Sequence, residues 1–189
     1  MPDIQSRDTD ESIAKAVQDG RTDLFHILVT RYEQRLLRYG HTFLRSHEDI
    51  EDITQNIFIK VYINIKSFKT TERFSPWIYR IAHNEFVNAA RKRRDIPLFS
   101  FDIDTMFPQL KEKSITEELD RDILKAQLTE YLTQIDIKYR EPLVLFYFDD
   151  LPYTDIADVL RLPVSTVGVR ISRGKAQLKK IISEQTKLI

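Results

Sequence analysis

The sequence predicts an all-α fold of two small helical domains joined by a flexible linker. Three observations carry that expectation: only four Gly in 189 residues, no sustained alternation of apolar and polar side chains, and long stretches in which apolar residues return at intervals of three and four. Without Cys there is no disulfide framework, thiolate metal site or cysteine nucleophile, so ordinary core burial must hold the fold.

The first domain is expected over residues 1–94. A short helix covers Asp10 to Gln18. Phe25, Leu28, Val29, Tyr32, Leu36, Tyr39 and Phe43 then lay one apolar stripe along a helix ending near Leu44. Ile50, Ile53, Ile57, Val61 and Ile65 repeat the pattern, and a further helix opens at Ser75-Pro76, where Ser caps free amides and Pro suits the first helical position. Residues 95–119 lose the periodicity. Pro97 and Pro108 interrupt a run that also holds Phe99, Phe101 and Phe107, too apolar for an inert spacer, so this linker is expected to dock on its own domains or on a partner. Residues 120–189 form the second domain: helical spacing resumes with Leu124, Leu128, Tyr131 and Ile135, and again after Pro142 with Leu143, Phe146 and Tyr147.

The strongest local signal starts at Tyr153, in YTDIADVLRLPVSTVGVRISRGKAQLKK. Ile156, Ala157 and Leu160 line the inner face of one short helix, Arg161-Leu162-Pro163 make a turn, and Val167, Ile171 and Leu178 are the buried side of a second helix. This is a helix-turn-helix, whose second helix fits a DNA major groove. Ser165, Thr166, Val169, Arg170, Arg173 and Lys175 are left outside, and six basic and no acidic residues lie between Val159 and Ser183. Such a face neutralises phosphates, and Arg170 or Arg173 can pair with a guanine edge. Arg161 stands where such turns commonly have Gly and cannot take a left-handed conformation cheaply.

Zero net charge, from 29 basic and 29 acidic residues, hides segregation: residues 61–100 carry +5 and 161–189 carry +6, against −3 over 1–60 and −8 over 101–160. The first basic block contains FSPWIYRIAHNEFVNAARKRR from Phe74, with Arg80, His83, Asn84, Val87 and Arg91 opposite the apolar face. Rings beside amide and basic groups suit single-stranded nucleic acid, because bases stack while cations follow the backbone. Trp77, Tyr79 and the loop from Phe68 through Lys69 to Arg73 are candidates for a base-trapping surface, although Trp77 serves equally as core and the run from Arg91 to Arg94 equally as a solvated helix end.

The acidic segment EDIEDITQNIF from Glu48 has a local explanation, since carboxylates stabilise a helix N-terminus by ~0.3–1 kcal/mol each. Asp49, Asp52, Gln55 and Asn56 beside exposed apolar groups fit a protein-docking face. No metal site is expected, because no His falls at ligand spacing with these acids. Gly168 and Gly174-Lys175 imitate a phosphate-binding loop, but the spacing is one residue too long, Ala176 replaces the hydroxyl residue and no strand precedes. Nothing supports an enzyme or a cofactor. The first ten residues have no basic or apolar leader and the longest apolar run is Leu143–Phe148, so a soluble, cytoplasmic chain without membrane insertion is expected.

The ordered set of motifs resembles the extracytoplasmic-function sigma factors of bacterial RNA polymerase. The resemblance rests on LVTRYEQRLLRYGHTFL from Leu28, EDIEDITQNIFIKVYINIKSF from Glu48, FSPWIYRIAHNEF from Phe74 and YREPLVLFYFDDLPYTDIADVLRLPVSTVGVRISRGKAQLKK from Tyr139. It implies that the acidic helix around Asp52 and Gln55 binds the clamp helices of the polymerase's largest subunit. Arg80, His83, Asn84 and the Phe68–Arg73 loop would engage and open the downstream (minus-10) promoter element, and the helix from Pro163 would read the upstream (minus-35) element. The partners implied are core RNA polymerase, promoter DNA both paired and melted, and, for many members, an anti-sigma factor. Gly168 stands where the family usually carries Lys or Arg, and Gly174 where it usually has Ala. Two other readings stay open on the residues alone: a helix-turn-helix regulator with a dimerising or sensing N-terminal domain, and a helical interaction module.

Overall fold

The computed structural model describes residues 8–93, 131, 132 and 134–186. The expected linker at 95–119, and the helical stripe through Leu124 and Leu128, lie outside them. Among the described residues there are seven α-helices and no strand: α1 Asp10–Gln18, α2 Phe25–Gly40, α3 His47–Asn64, α4 Phe74–Arg93, α5 Ile137–Tyr147, α6 Tyr153–Leu160 and α7 Val164–Thr186. Short 3-10 turns lead into α2 at Thr22–Leu24 and out of α3 at Ile65–Ser67.

In the N-terminal half α1 to α4 close around Tyr32, Tyr39, Phe43, Phe74, Tyr79 and Phe86, whose rings meet edge to face or stacked at centroid separations of 5.2–6.5 Å. Such contacts add roughly 0.5–1.5 kcal/mol beyond area burial. Gly40 ends α2 where a Cβ would stand 2.5 Å from Ile50 and 2.7 Å from Phe86, so only a bare backbone passes there. Thr9 caps α1 by accepting the Ser12 amide and Ser46 caps α3 by accepting that of Asp49. The start of α4 differs from expectation. The helix begins at Phe74, whose amide is accepted at 2.9 Å by the Glu11 carboxylate of α1, while the Ser75 hydroxyl is paired with Tyr32 at 3.0 Å.

In the C-terminal half Leu143, Val144, Leu145, Ile156, Ala157, Val159, Val167 and Ile171 are buried between α5, α6 and α7. Helix α5 begins five residues before Pro142 rather than after it, because Asp136 caps it at the Lys138 amide, and Pro142 is accommodated, buried, within the helix. Arg161 does take the left-handed conformation, at φ 54° and ψ 48°, at a cost of roughly 1–2 kcal/mol. Gly174 is required by the crossing of α5 and α7, where a Cβ would lie 2.6 Å from Leu143.

The two halves are in contact. Helix α6 packs on α4, and carboxylates of the acidic block reach basic groups of the N-terminal half. The segregation of charge that suggested polyanion-binding faces also supplies the attraction that closes the chain on itself.

Candidate nucleic-acid interface

Helix α7 follows the left-handed Arg161, which turns the chain so that α7 crosses α6 with Val167 and Ile171 beneath it. Ser165, Val169 and Arg173 are exposed and Thr166 and Arg170 half-exposed, so these five share one open face at helical spacing. Lys175 stands apart from them. Its ammonium lies 5.7 Å from the Tyr147 ring of α5, and hydrogen bonding to the Tyr147 hydroxyl raises its pKa. It borders an apolar cavity of about 480 Å³ lined by Leu132, Leu143, Tyr147, Phe148, Leu178 and Ile182.

The loop from Phe68 to Arg73 joins α3 to α4. Phe68 does not offer its ring to a ligand: it is 3% exposed and packs at 5.3 Å on Phe74 and 5.2 Å on Trp77. The aromatic that sequence placed on the trapping surface therefore braces the loop from beneath. Tyr79 is likewise fully buried. Lys69 and Arg73 are exposed, Lys69 pairing with Glu72 at 3.4 Å. Trp77 is half-buried and, with Ile81 and Asn84, lines two adjoining cavities. One, of about 300 Å³, is completed by Lys60, Asn64, Ser67 and Glu85; the other, of about 210 Å³, by Arg80 with Asp158 and Arg161 of the C-terminal half. Arg91 continues this side of α4 and is exposed.

Two of these residues hold anionic partners from the C-terminal half. His83 Nδ1 lies 2.6 Å from Glu141 Oε1, an oxygen that also accepts the Tyr39 hydroxyl at 2.5 Å. Burial and the adjacent Glu141 carboxylate raise the Tyr39 pKa well above its ordinary value. Arg73 pairs with Asp155 at 2.6 Å. Behind them Asp149 is fully buried, with Arg35 and Arg38 each 3.7 Å from Oδ1, and its main-chain oxygen accepts Arg35 at 2.6 Å. Burial raises the Asp149 carboxyl to about 6, Arg35, the Tyr79 hydroxyl and Arg38 pulling against that rise. Arg140, pulled down to about 10 by burial, donates to the Thr42 carbonyl at 3.1 Å.

On α3, Asp52, Gln55 and Asn56 are exposed while Asp49, in the capped first turn, is half-buried. The same face continues through Ile59 and Ile63, 56% and 70% exposed. Sequence reasoning did not single these two out. The signal was present, since neither fits the three-and-four spacing of the buried isoleucines. It also missed Glu11 and Gln18 of α1. The Gln18 amide donates at 2.7 Å to both the Ile65 and the Phe68 carbonyls, a contact across 47 and 50 positions that no local pattern announces. Among the described residues no helix is long and apolar enough to cross a membrane, and no three His, Cys, Asp or Glu converge as metal ligands.

Comparison with known proteins returns two family matches, Sigma-70 region 2 over residues 28–96 and Sigma-70 region 4 over residues 125–178. The ECF RNA polymerase sigma factor SigW of Bacillus subtilis (strain 168) is 32% identical over 88% of this chain and 92% of its own length. The ECF RNA polymerase sigma-E factor of Escherichia coli (strain K12) is 33% identical over 88% and 91%. Among solved structures, CnrH in complex with the cytosolic domain of CnrY superposes with a TM-score of 0.72 at 22% identity, covering 94% of this chain and 99% of that one. That likeness shows a shared fold.

Proposed function

The chain belongs to the ECF sigma factors of RNA polymerase, and from that premise we propose that it directs core polymerase to specific promoters and initiates transcription there. Residues 1–94 bind polymerase and melt the downstream element, residues 120–189 recognise the upstream element, and 95–119 link them. Helix α7 enters the duplex major groove with Ser165, Thr166, Val169, Arg170 and Arg173, while Asp49, Asp52, Gln55 and Asn56 meet the polymerase. Lys69, Arg73, Trp77, Arg80, His83, Asn84 and Arg91 engage the opened strand. The observation that supports this reading best is that the exposed cationic side of α7 and the cavity of about 300 Å³ beside Trp77 and Asn84 lie on different halves of one chain. One suits paired and the other unpaired nucleic acid.

Opening is driven by capture. Stacking of each unstacked base on an aromatic surface returns about 1–3 kcal/mol, against the few kcal/mol lost in extruding it. The chain hydrolyses no nucleotide and acts as an initiation factor, not an enzyme, in the cytoplasm. An anti-sigma factor that competes with polymerase for it completes the reading. Run-off transcription tests the whole: core polymerase alone should give no specific transcript, core plus this chain should give one, and a chain active on palindromic duplex without polymerase would instead be an ordinary regulator.

A further inference from the structure

Helix α1 lies outside both family matches. It nevertheless grips both ends of the loop that carries Lys69 and Arg73. At the entry, the Gln18 carboxamide donates at 2.7 Å to the carbonyls of Ile65 and Phe68. At the exit, the Glu11 carboxylate accepts the Phe74 amide at 2.9 Å, the first of α4. Between these ends the described main-chain bonds within the loop are few: Phe68 to Ile65 at 3.1 Å and Glu72 to Lys69 at 2.9 Å.

We infer that Gln18 and Glu11 are positioning residues for promoter melting, holding the 68–73 loop and the start of α4 in the geometry that receives the unpaired strand. The inference rests on the reading of that loop as the strand-engaging element. The chemistry is specific at each position. Gln18 acts as a double donor to two main-chain acceptors, so the isosteric Glu, an acceptor only, cannot replace it. Glu11 acts as an acceptor, so Gln keeps its function through the amide oxygen and Ala does not. A ligand-receiving loop misplaced by even an ångström loses affinity for the activated arrangement before it loses the fold.

The test compares Gln18→Glu, Gln18→Leu, Glu11→Ala and Glu11→Gln in the full chain, with hydrogen exchange over residues 66–74 in free protein. With core polymerase, on a promoter from which the wild type gives a run-off product, it adds polymerase affinity and permanganate reactivity of thymines in the downstream element. Gln18→Glu, Gln18→Leu and Glu11→Ala should speed exchange in the loop and lower thymine reactivity about tenfold, the factor expected for one or two exchanged hydrogen bonds. Polymerase affinity should hold, and Glu11→Gln should match the wild type. Faster exchange with unchanged reactivity overturns the inference, as does unchanged exchange, or reactivity and polymerase affinity falling together as for a general loss of fold. Failure of the wild type to initiate on any promoter would refute the functional reading instead, and the exchange data would still decide whether α1 holds the loop.

Discussion

Asp149 illustrates how one side chain sets a condition on the rest. Its carboxyl is raised from an ordinary 3.8 to about 6 because it is buried, with Arg35 and Arg38 of α2 and Tyr79 of α4 facing it. The folded chain therefore holds this proton more tightly than the unfolded chain. The associated stability is fully present below about pH 4 and is lost as pH rises through about 6, a difference on the order of 3 kcal/mol. Thermal melts should show this contribution as a gain on going from pH 7.5 to pH 5, and Asp149→Asn should flatten it; an equal pH dependence in the variant would refute the assignment. Two glycines separate in the same way. Gly174→Ala would drive a methyl into Leu143 and the Tyr139 carbonyl and should cost about 1–3 kcal/mol of stability. At Gly168 the new Cβ would meet only Tyr153 at an ordinary 3.5 Å, so Gly168→Ala should raise stability by about 1 kcal/mol. Chemical denaturation of both variants measures the difference.

At the level of helices, most of the fold was legible because helical spacing is a local property. The stripes of α2 and α3 and the inner faces of α6 and α7 are the buried ones, apart from residues such as Phe25, Ile53 and Leu178 that are partly covered. What sequence missed are features made by distant partners: the cap of α4, supplied by Glu11 from 63 positions away, and the start of α5 ahead of Pro142. Phe68 and Tyr79 were misplaced for a related reason. An aromatic in a cationic stretch reads as a stacking surface, and only the packed neighbours reveal it as core. Charge alone groups Lys175 with Arg170 and Arg173, although its place on the helix turns it toward Tyr147. Each helix carries its own prediction. Removing Arg170 or Arg173 with Ala should weaken upstream recognition by about tenfold each, within the ~1–3 kcal/mol of a base-reading pair, and leave polymerase affinity intact in a binding titration. Ile63→Asp on α3 should do the reverse, because Ile63 is 70% exposed and continues the face of α3 proposed to meet the polymerase, without supporting the core.

Taken whole, the chain places its C-terminal half against part of the surface that would meet melted DNA. Glu141 and Asp155 hold His83 and Arg73 at 2.6 Å, so carboxylates stand where phosphates of the opened strand would approach. Free protein should accordingly bind a promoter oligonucleotide poorly and gain affinity with core polymerase; removing the two carboxylates as Glu141→Gln with Asp155→Asn should raise single-strand affinity of the free chain, read by fluorescence anisotropy at low salt. Strong specific binding by the unmodified free chain would contradict this. The hold of α1 on the rest has a practical side. The recognisable family pattern begins at Leu28, so a fragment trimmed to that boundary would discard Ile13 and Val17 from the interior and the Asp10 carboxylate that accepts the Tyr32 hydroxyl. Trimming by homology would thus yield a shorter polypeptide with a hollowed flank and an unanchored loop, and its failure to open DNA would say nothing about the residues it kept.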